Sequence, residues 1–164
     1  MRAAYLLGFV GCAALIAYAL FVQYVQHIEP CPLCILQRVV FIAMGAIFLV
    51  GGLHAPRRAG RWVYAALVSI AGIVGIGISW RHLWLQSLPP DQVPSCGPGL
   101  SYMLDAFPLM QTIKMVFTGS GECAAVNWSF LGLAMPAWAL IAYVILIGWG
   151  LWFARKALPA GLLR

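Results

Sequence analysis

The sequence predicts an all-α membrane protein, a four-transmembrane-helix bundle with a long external loop that contains a short amphipathic helix. Of its 164 residues, 63% are hydrophobic and 9% are charged, against roughly 45 to 50% and about 25% in soluble globular domains. So few charges cannot coat a water-facing surface, and a chain of this length cannot bury so much apolar sequence in one core. The composition therefore excludes an ordinary soluble fold.

Four apolar runs are each long enough to cross a bilayer as a helix, which takes about 20 residues. They cover residues 3–25, 32–52, 62–80 and 134–153, and we expect a single membrane domain over residues 1–164. Arg2 and the small residues Ala17 and Ala19 also suit a cleaved signal peptide. The first run is longer than the ~7 to 15 residues of a signal-peptide core, so we expect a retained span.

The positive residues sort between the two sides of these spans. Because cytoplasmic flanks carry the excess of Lys and Arg, both termini should be cytoplasmic and the loop at about 81–133 should be external. The charges are scattered rather than clustered on one face, so the net charge of +6 does not indicate a nucleic-acid partner. Seven of the ten fall on the side of the termini: Arg2, Arg57, Arg58, Arg61, Arg155, Lys156 and Arg164.

The long external loop contains apolar residues at helical spacing. Such a stripe predicts an amphipathic helix on the membrane surface, although packing of the same stripe on the ends of the spans explains it equally well. Pro108 should bend or split this helix. The stripe consists of Leu100, Met103, Leu104, Phe107, Met110, Ile113 and Phe117.

The five cysteines divide by their predicted position. Cys12 lies in the middle of the first span, where a small buried apolar residue is expected. Cys31, Cys34, Cys96 and Cys123 all belong to the external side. If that side is the bacterial periplasm, which is oxidising, these four should form disulfides. Three pairings are possible, and the residues alone do not select one.

A C-x-x-C motif, Cys31-Pro32-Leu33-Cys34, begins the second span. Proline suits a first helical turn, and the unpaired N–H groups there favour a thiolate. Arg38 lies one turn beyond Cys34 on the same helix face and about 10 Å inside the span. A charge at that depth either snorkels to the interface or marks a functional path. We favour a role beside Cys34, with an anionic or electron-rich oxygen held next to both residues.

Zinc, purely structural disulfides and haem are three other interpretations of these residues. Zinc would explain four cysteines, but structural zinc sites usually have two close-spaced pairs of ligands, and a second C-x-x-C is missing from the sequence. We therefore expect no metal. A four-span structural protein with disulfides that only staple its loop is the main alternative to a redox enzyme. Haem ligation by His27 and His82, both near external span ends, would make an electron carrier.

Several features together resemble the disulfide bond formation protein B family, DsbB. They are the four spans, the run C-P-L-C-I-L-Q-R at 31–38, the second cysteine pair, with G-E-C at 121–123, and the run W-S-F-L-G-L-A-M-P-A-W at 128–138. The resemblance covers nearly the whole chain, from about Leu6 to Phe153. It implies a membrane thiol:quinone oxidoreductase of the bacterial inner membrane that reoxidises the periplasmic thiol oxidase DsbA.

Position by position, the resemblance implies a path for electrons. Cys96 and Cys123 would form the loop disulfide that meets reduced DsbA, and Cys96 would take the mixed disulfide. Cys123 would pass electrons to the bridge between Cys31 and Cys34.

The same resemblance implies a quinone site. Cys34 would face the ring of a ubiquinone or menaquinone, and Arg38 would bind a quinone oxygen and stabilise developing negative charge. His82 matches a family histidine near the quinone. Gln37 departs from members that carry an acid before the arginine, which puts a proton-handling role at this position in doubt.

Overall fold

A computed structural model describes residues 2–89, 91–93, 108, 121–126 and 128–156. Its elements in chain order are α1 (Arg2–Val25), α2 (Pro32–His54), α3 (Arg58–Gln86), α4 (Gly121–Ala124), β1 (Ser129–Phe130), β2 (Leu133–Ala134) and α5 (Met135–Arg155). The helices α1, α2, α3 and α5 are each long and apolar enough to cross a membrane. The predicted four-helix membrane bundle is therefore confirmed, and each predicted span overlaps one of these helices.

The four long helices pack as a bundle in which α1 lies against α2, α2 against α3, and α3 against α5. The links between α1 and α2 and between α2 and α3 are short, as expected for antiparallel neighbours. Contact between α1 and α5 is much sparser. The end of the bundle where α1 ends and α2 begins is called the cysteine end below, because Cys31 and Cys34 lie there.

The outside of the bundle is apolar, which suits a lipid environment. The buried core is assembled from bulky residues of α2, α3 and α5, with Cys12 of α1 among them at 2% exposure, as expected for a small buried residue. Large apolar side chains that are more than half exposed occur on all four helices and include Leu7, Val10, Val39, Ile42, Ile70, Ile73, Trp80, Val144 and Ile145.

A buried polar network ties α2, α3 and α5 together in the core. The hydroxyl of Tyr143 donates a hydrogen bond of 2.8 Å to the carbonyl oxygen of Gln37. The side-chain nitrogen of Gln37 donates one of 3.2 Å to the hydroxyl of Ser79. The ring of Tyr143 stacks on Phe41 with centroids 4.2 Å apart, and it also closely approaches Gly75 of α3. Since Gln37 precedes Arg38, this network fixes the backbone beside that residue.

The third helix is longer than the predicted span at 62–80, since it covers Arg58–Gln86. The sequence placed residues 81–86 in the loop because charge begins at Arg81. Charge marks where an apolar run ends, but it does not break a helix. His82 and Leu85 are both buried and continue the inward face of Ile78, so this face extends α3 by more than a turn.

A small hairpin at the cysteine end was not anticipated. Ser129 pairs with Ala134 and Phe130 with Leu133 in an antiparallel register. The two turn residues, Leu131 and Gly132, have φ values of 52° and 78°, which is the backbone of a two-residue type I′ turn. The sequence signal was weak, because Leu rather than Asn or Asp precedes the glycine.

The amphipathic helix expected in the external loop lies outside the described residues. Among the residues of that segment, the structure describes Pro108 but none of the apolar stripe, from Leu100 to Phe117. The prediction of a loop helix is therefore not tested.

Candidate functional site

The C-x-x-C motif lies where α2 begins. Cys31 is the residue that precedes the helix, with extended backbone at φ −66° and ψ 162°, and Pro32 occupies the first turn. The thiol of Cys31 donates a hydrogen bond to the sulfur of Cys34 at 3.3 Å. This separation is longer than the S–S bond of about 2.05 Å, so the structure represents the pair as two thiols. Both side chains are partly buried, and small torsion changes can bring the sulfurs to bonding distance.

His82 of α3 faces this pair. Its Nε2 lies 3.7 Å from Cys31 Sγ, and its side chain is only 2% exposed. Among the described residues, no hydrogen-bond partner reaches its Nδ1. The two sulfurs and a ring nitrogen of His82 all lie within 4.8 Å of one another. The structure therefore brings together three of the site residues predicted from the sequence.

Arg38 is partly buried, and its guanidinium is directed at α1. One terminal nitrogen donates a hydrogen bond to Gln23 Oε1, and the other donates one of 3.0 Å to the carbonyl oxygen of Ala19. These acceptors explain how a cation is held inside a span, because each satisfies an N–H group that would otherwise be buried without a partner. The contacts hold the charge in a fixed position beside the gap between α1 and α5.

Two cavities meet at Cys34 and Arg38. A small cavity of about 60 Å³ is lined by these two residues together with Cys31, His82 and Glu29. A much larger cavity of about 490 Å³ lies between α1, α2, α5 and the hairpin and is lined mostly by apolar side chains. Cys34 and Arg38 are therefore positioned to contact a group in either cavity.

The larger cavity is walled mainly by apolar and aromatic residues. Among the described residues, its charged, amide or thiol side chains are those of Arg38, Gln37 and Cys34. The rest of its lining consists of Leu15, Ile16, Tyr18, Ala19, Phe41, Trp128, Phe130, Met135, Trp138 and Ala139. A volume of several hundred Å³ with an apolar lining and few polar groups is typical of a small-molecule site.

The hairpin forms the wall of this cavity at the cysteine end. Trp128 stacks near Phe130 and makes an edge contact with Tyr18 of α1. The indole nitrogen of Trp138 in α5 donates a hydrogen bond of 3.1 Å to the carbonyl oxygen of Phe130. These contacts connect α1 and α5, two helices that touch each other sparsely. Tyr18 is about half exposed, so one side of the cavity is close to the lipid.

The second cysteine pair is described in part. Cys123 lies on α4, is fully buried and belongs to the core cluster. It lies close enough to Cys34 to interact with it electrostatically, so the structure brings one loop cysteine to the C-x-x-C motif. Cys96 lies outside the described residues.

Sequence reasoning missed several residues of this site. Gln23 left a detectable signal, because it is a polar residue near the end of an otherwise apolar run. Ala19 contributes a backbone carbonyl, which no side-chain pattern reveals. The role of Trp128 and Phe130 as a cavity wall depends on the hairpin, and that hairpin was not predicted.

The fold and the site together define a class of protein. A multi-pass helical membrane protein with a cysteine pair at a helix start, next to an apolar cavity, has the arrangement of a membrane thiol–disulfide oxidoreductase. A family model described as Disulfide bond formation protein DsbB matches residues 1–153. The chain belongs to this family, and it is a disulfide-generating membrane oxidoreductase.

Relatives with the name Disulfide bond formation protein B are similar over most of their length. The protein of Nitrosococcus oceani is 55% identical over 152 residues, which are 93% of this chain and 90% of the relative. The protein of Hahella chejuensis is 50% identical over 143 residues, 87% of each chain. The protein of Saccharophagus degradans is 50% identical over 153 residues, 93% of this chain and 92% of the relative.

Proposed function

We propose that the protein is a thiol:quinone oxidoreductase that reoxidises a DsbA-like periplasmic dithiol oxidase. Electrons would pass through two cysteine pairs to a membrane ubiquinone or menaquinone. The observation that carries this proposal is the position of Cys34 and Arg38, which line both the small cavity with Cys31 and His82 and the large apolar cavity near the lipid. A thiol donor and a lipid-soluble acceptor can therefore meet at Cys34.

The large cavity suits the ring of a quinone. Its volume of about 490 Å³ falls within the roughly 300 to 1,000 Å³ of small-molecule sites, and aromatic side chains form much of its wall. Arg38 offers N–H donors and a positive charge at one edge of the cavity, which is the chemistry that a quinone oxygen requires. A bound quinone supplies the acceptor for two electrons and two protons.

The cysteines carry the electrons in this proposal. When the Cys31–Cys34 bridge forms, each thiol loses a proton, the S–S bond is made, and two electrons leave the pair. Cys34 lines the apolar cavity, whereas Cys31 does not, so Cys34 is the sulfur that faces the acceptor. Arg38 stabilises negative charge that develops on the acceptor's oxygen during the transfer.

Reduction of this bridge would come from the loop cysteines. We propose that a thiolate of the reduced DsbA-like partner attacks the Cys96–Cys123 bridge at Cys96, which forms the mixed disulfide and releases Cys123 as a thiolate. Cys123 then attacks the Cys31–Cys34 bridge. The burial of Cys123 near Cys34 supports the second exchange. Each exchange breaks one S–S bond and makes another, so electrons are conserved until they reach the membrane acceptor.

An external oxidant is needed because thiol exchange alone cannot drive the reaction. DsbA-type oxidases have a potential of about −120 mV, and every 30 mV on a two-electron couple corresponds to about 1.4 kcal/mol. An ordinary protein dithiol would therefore have to be driven uphill to oxidise such a partner. A quinone held at Cys34 supplies the oxidant.

The charge distribution supports one orientation in the membrane. We propose that the protein lies in the bacterial inner membrane with both termini in the cytoplasm and the cysteine end in the periplasm. Arg57 and Arg61 flank the link between α2 and α3 at the opposite end from Cys31. The acidic Glu29 lies at the cysteine end.

The proposal is tested by mixing purified protein in detergent, reduced DsbA and a ubiquinone or menaquinone analogue, and following quinone absorbance. We expect turnover in the wild type, a complete loss in Cys34→Ser, and wild-type rates in the matched control Cys12→Ser, whose thiol is buried away from both site cavities. Wild-type protein that reduces neither quinone, or a Cys34→Ser variant with undiminished turnover, would contradict it.

The role of Arg38 is tested in the same assay. Arg38→Ala removes both the charge and the hydrogen bonds to α1, so we expect the apparent KM for quinone to rise far more than the KM for DsbA. Arg38→Lys keeps the charge and should recover part of the quinone affinity. Equal increases in the two KM values would show that the substitution only disturbs the fold.

A further inference from the structure

We propose that the reduced Cys31–Cys34 pair and His82 form a binding site for a thiophilic divalent cation, with Zn²⁺ as the probe, and that the bound cation blocks formation of the disulfide. Metal binding and oxidation to the disulfide would therefore compete for the same two thiols. It goes beyond the proposed quinone reaction, because it depends on the geometry of the reduced pair and not on the identity of the electron acceptor.

Two of the three distances between the ligand atoms are close to those of a tetrahedral zinc site. Zn–S bonds of about 2.3 Å and Zn–N bonds of about 2.0 to 2.1 Å place two ligand sulfurs about 3.8 Å apart and a sulfur and a nitrogen about 3.6 Å apart. The sulfurs of Cys31 and Cys34 are separated by 3.3 Å, and Cys31 Sγ and His82 Nε2 by 3.7 Å. The third separation, from Cys34 Sγ to the ring of His82, is at most 4.8 Å. Ligation therefore requires movements of at most about 1 Å, which side-chain torsions can supply.

The position of His82 suits it to be the third ligand, because its Nε2 already faces Cys31 Sγ. Its ring is nine-tenths buried or more, and its Nδ1 has no hydrogen-bond partner among the described residues. A neutral imidazole that carries its proton on Nδ1 presents the lone pair of Nε2 to the sulfurs. Two thiolates and a neutral imidazole are the ligands that zinc prefers.

The residues around the three ligands can supply a fourth ligand for the cation, and they also limit its affinity. Glu29 and Gln86 line the same 60 Å³ cavity, so a carboxylate, an amide oxygen or water can fill the fourth position. The positive charge of Arg38 opposes a cation here, but its guanidinium is held by Gln23 and Ala19 of α1. The unpartnered Nδ1 also lacks the outer hydrogen bond that usually strengthens a metal-ligating histidine, whose loss costs 10- to 100-fold in affinity. We therefore expect an exchangeable cation rather than a structural one.

Binding is coupled to the redox state of the pair. The cation displaces one proton from each thiol and forms two metal–sulfur bonds, so two protons are released and no electron moves. The disulfide form has no thiolate to offer and loses the site. While the metal is bound, the electron pairs of both sulfurs are engaged, and the S–S bond cannot form.

The test uses the full-length protein with Cys96→Ser and Cys123→Ser, so that the loop cysteines cannot bind metal themselves. Zn²⁺ binding to the reduced and the oxidised pair is measured by competition with a chromophoric chelator, and Co²⁺ is added in parallel to detect sulfur-to-metal charge-transfer absorption. We expect one Zn²⁺ per reduced protein, none per oxidised protein, and a thiolate charge-transfer band with Co²⁺. Equal zinc binding by the two redox states would overturn the proposal.

Variants of the ligands identify the site. His82→Gln keeps a polar side chain but removes the imidazole, and we expect the Kd for Zn²⁺ to rise about tenfold or more. His54→Gln is the matched control, since His54 is exposed at the opposite end of the bundle and contacts Tyr64; its Kd should not change. If His82→Gln binds zinc like the wild type, or if Cys34→Ala retains the Co²⁺ band, the assigned ligands are wrong.

The readout is metal stoichiometry, so it is independent of quinone turnover. Because His82 is buried, the helical content and elution volume of His82→Gln are recorded, and Cys34→Ala provides a second variant at a partly exposed position. If the reduced pair binds zinc but does not reduce quinone, the proposed function is refuted and the metal site stands. If the pair reduces quinone but does not bind zinc, the metal site is refuted and the proposed function stands.

Discussion

The close approach of Tyr143 in α5 to Gly75 in α3 predicts a large effect from a small substitution, Gly75→Ala. A Cβ atom added at Gly75 would lie 2.5 Å from Cζ of Tyr143 and 2.6 Å from two further ring atoms. Ordinary carbon contacts are about 3.5 to 4.0 Å, so the two helices or the ring must move by about 1 Å. The ring has little freedom, because it stacks on Phe41 and its hydroxyl is hydrogen bonded to the carbonyl of Gln37.

The expected cost follows from these contacts. Forcing one extra carbon into a packed core costs about 1 to 3 kcal/mol, and a buried hydrogen bond between membrane helices contributes about 0.6 kcal/mol on average. If the ring shifts enough to break the bond to Gln37, overpacking and the lost hydrogen bond together should lower the free energy of unfolding by about 2 to 4 kcal/mol. Alanine also gains up to about 1 kcal/mol over glycine as a helix former, which partly offsets this loss.

The matched control is Gly77→Ala on the same helix, since no atom of the described residues lies within 4 Å of a Cβ placed there. It isolates the gain in helix propensity. Equilibrium unfolding in mixed detergent micelles should show Gly75→Ala less stable than Gly77→Ala by about 2 to 4 kcal/mol. Equal stabilities for the two variants would refute the argument that Gly75 is required by the approach of Tyr143.

Two further predictions concern the core network and the large cavity. Gln37→Leu leaves the Ser79 hydroxyl buried without its partner and should lower the free energy of unfolding by about 1 to 3 kcal/mol. Adding Ser79→Ala should restore most of this loss, because it removes the unpaired hydroxyl. Equal losses in the single and double variants would contradict this prediction. Ala139→Phe places a ring in the 490 Å³ cavity. In steady-state assays the KM for quinone should therefore rise several-fold, while the KM for the dithiol partner stays unchanged. A parallel rise in both KM values would argue against this cavity as the quinone site.

The four-helix bundle could be predicted from the sequence because the apolar composition of the spans alone determines that they form membrane helices. Each span is an apolar run of bilayer length, and a chain in lipid satisfies its backbone by forming helices. The end of α3 was placed too early at residue 80 for the same reason, since hydropathy reports where lipid ends. His82 continues the helix because its buried side chain packs at the cysteine end, a tertiary contact that no local pattern contains.

Parts of the candidate site could also be predicted from the sequence. The spacing of Cys31, Cys34 and Arg38 on one helix follows from the sequence alone, and the structure places all three around the small cavity. The hydrogen bonds of Arg38 to Gln23 and Ala19 could not be predicted, because they depend on how α1 is rotated against α2. The cavity itself arises from the sparse contact between α1 and α5 and from a hairpin with a leucine at positive φ.

The most direct test of the account is a single turnover by the Cys31–Cys34 pair alone. Full-length protein with Cys96→Ser and Cys123→Ser is reduced, freed of reductant and mixed with a quinone analogue in the absence of oxygen, and quinol and thiols are then counted. We predict that each protein reduces one quinone and loses two thiols, with Arg38→Ala slowing the step at low quinone. Persistence of both thiols beside excess ubiquinone and menaquinone analogues would contradict the claim that Cys34 delivers electrons to a quinone.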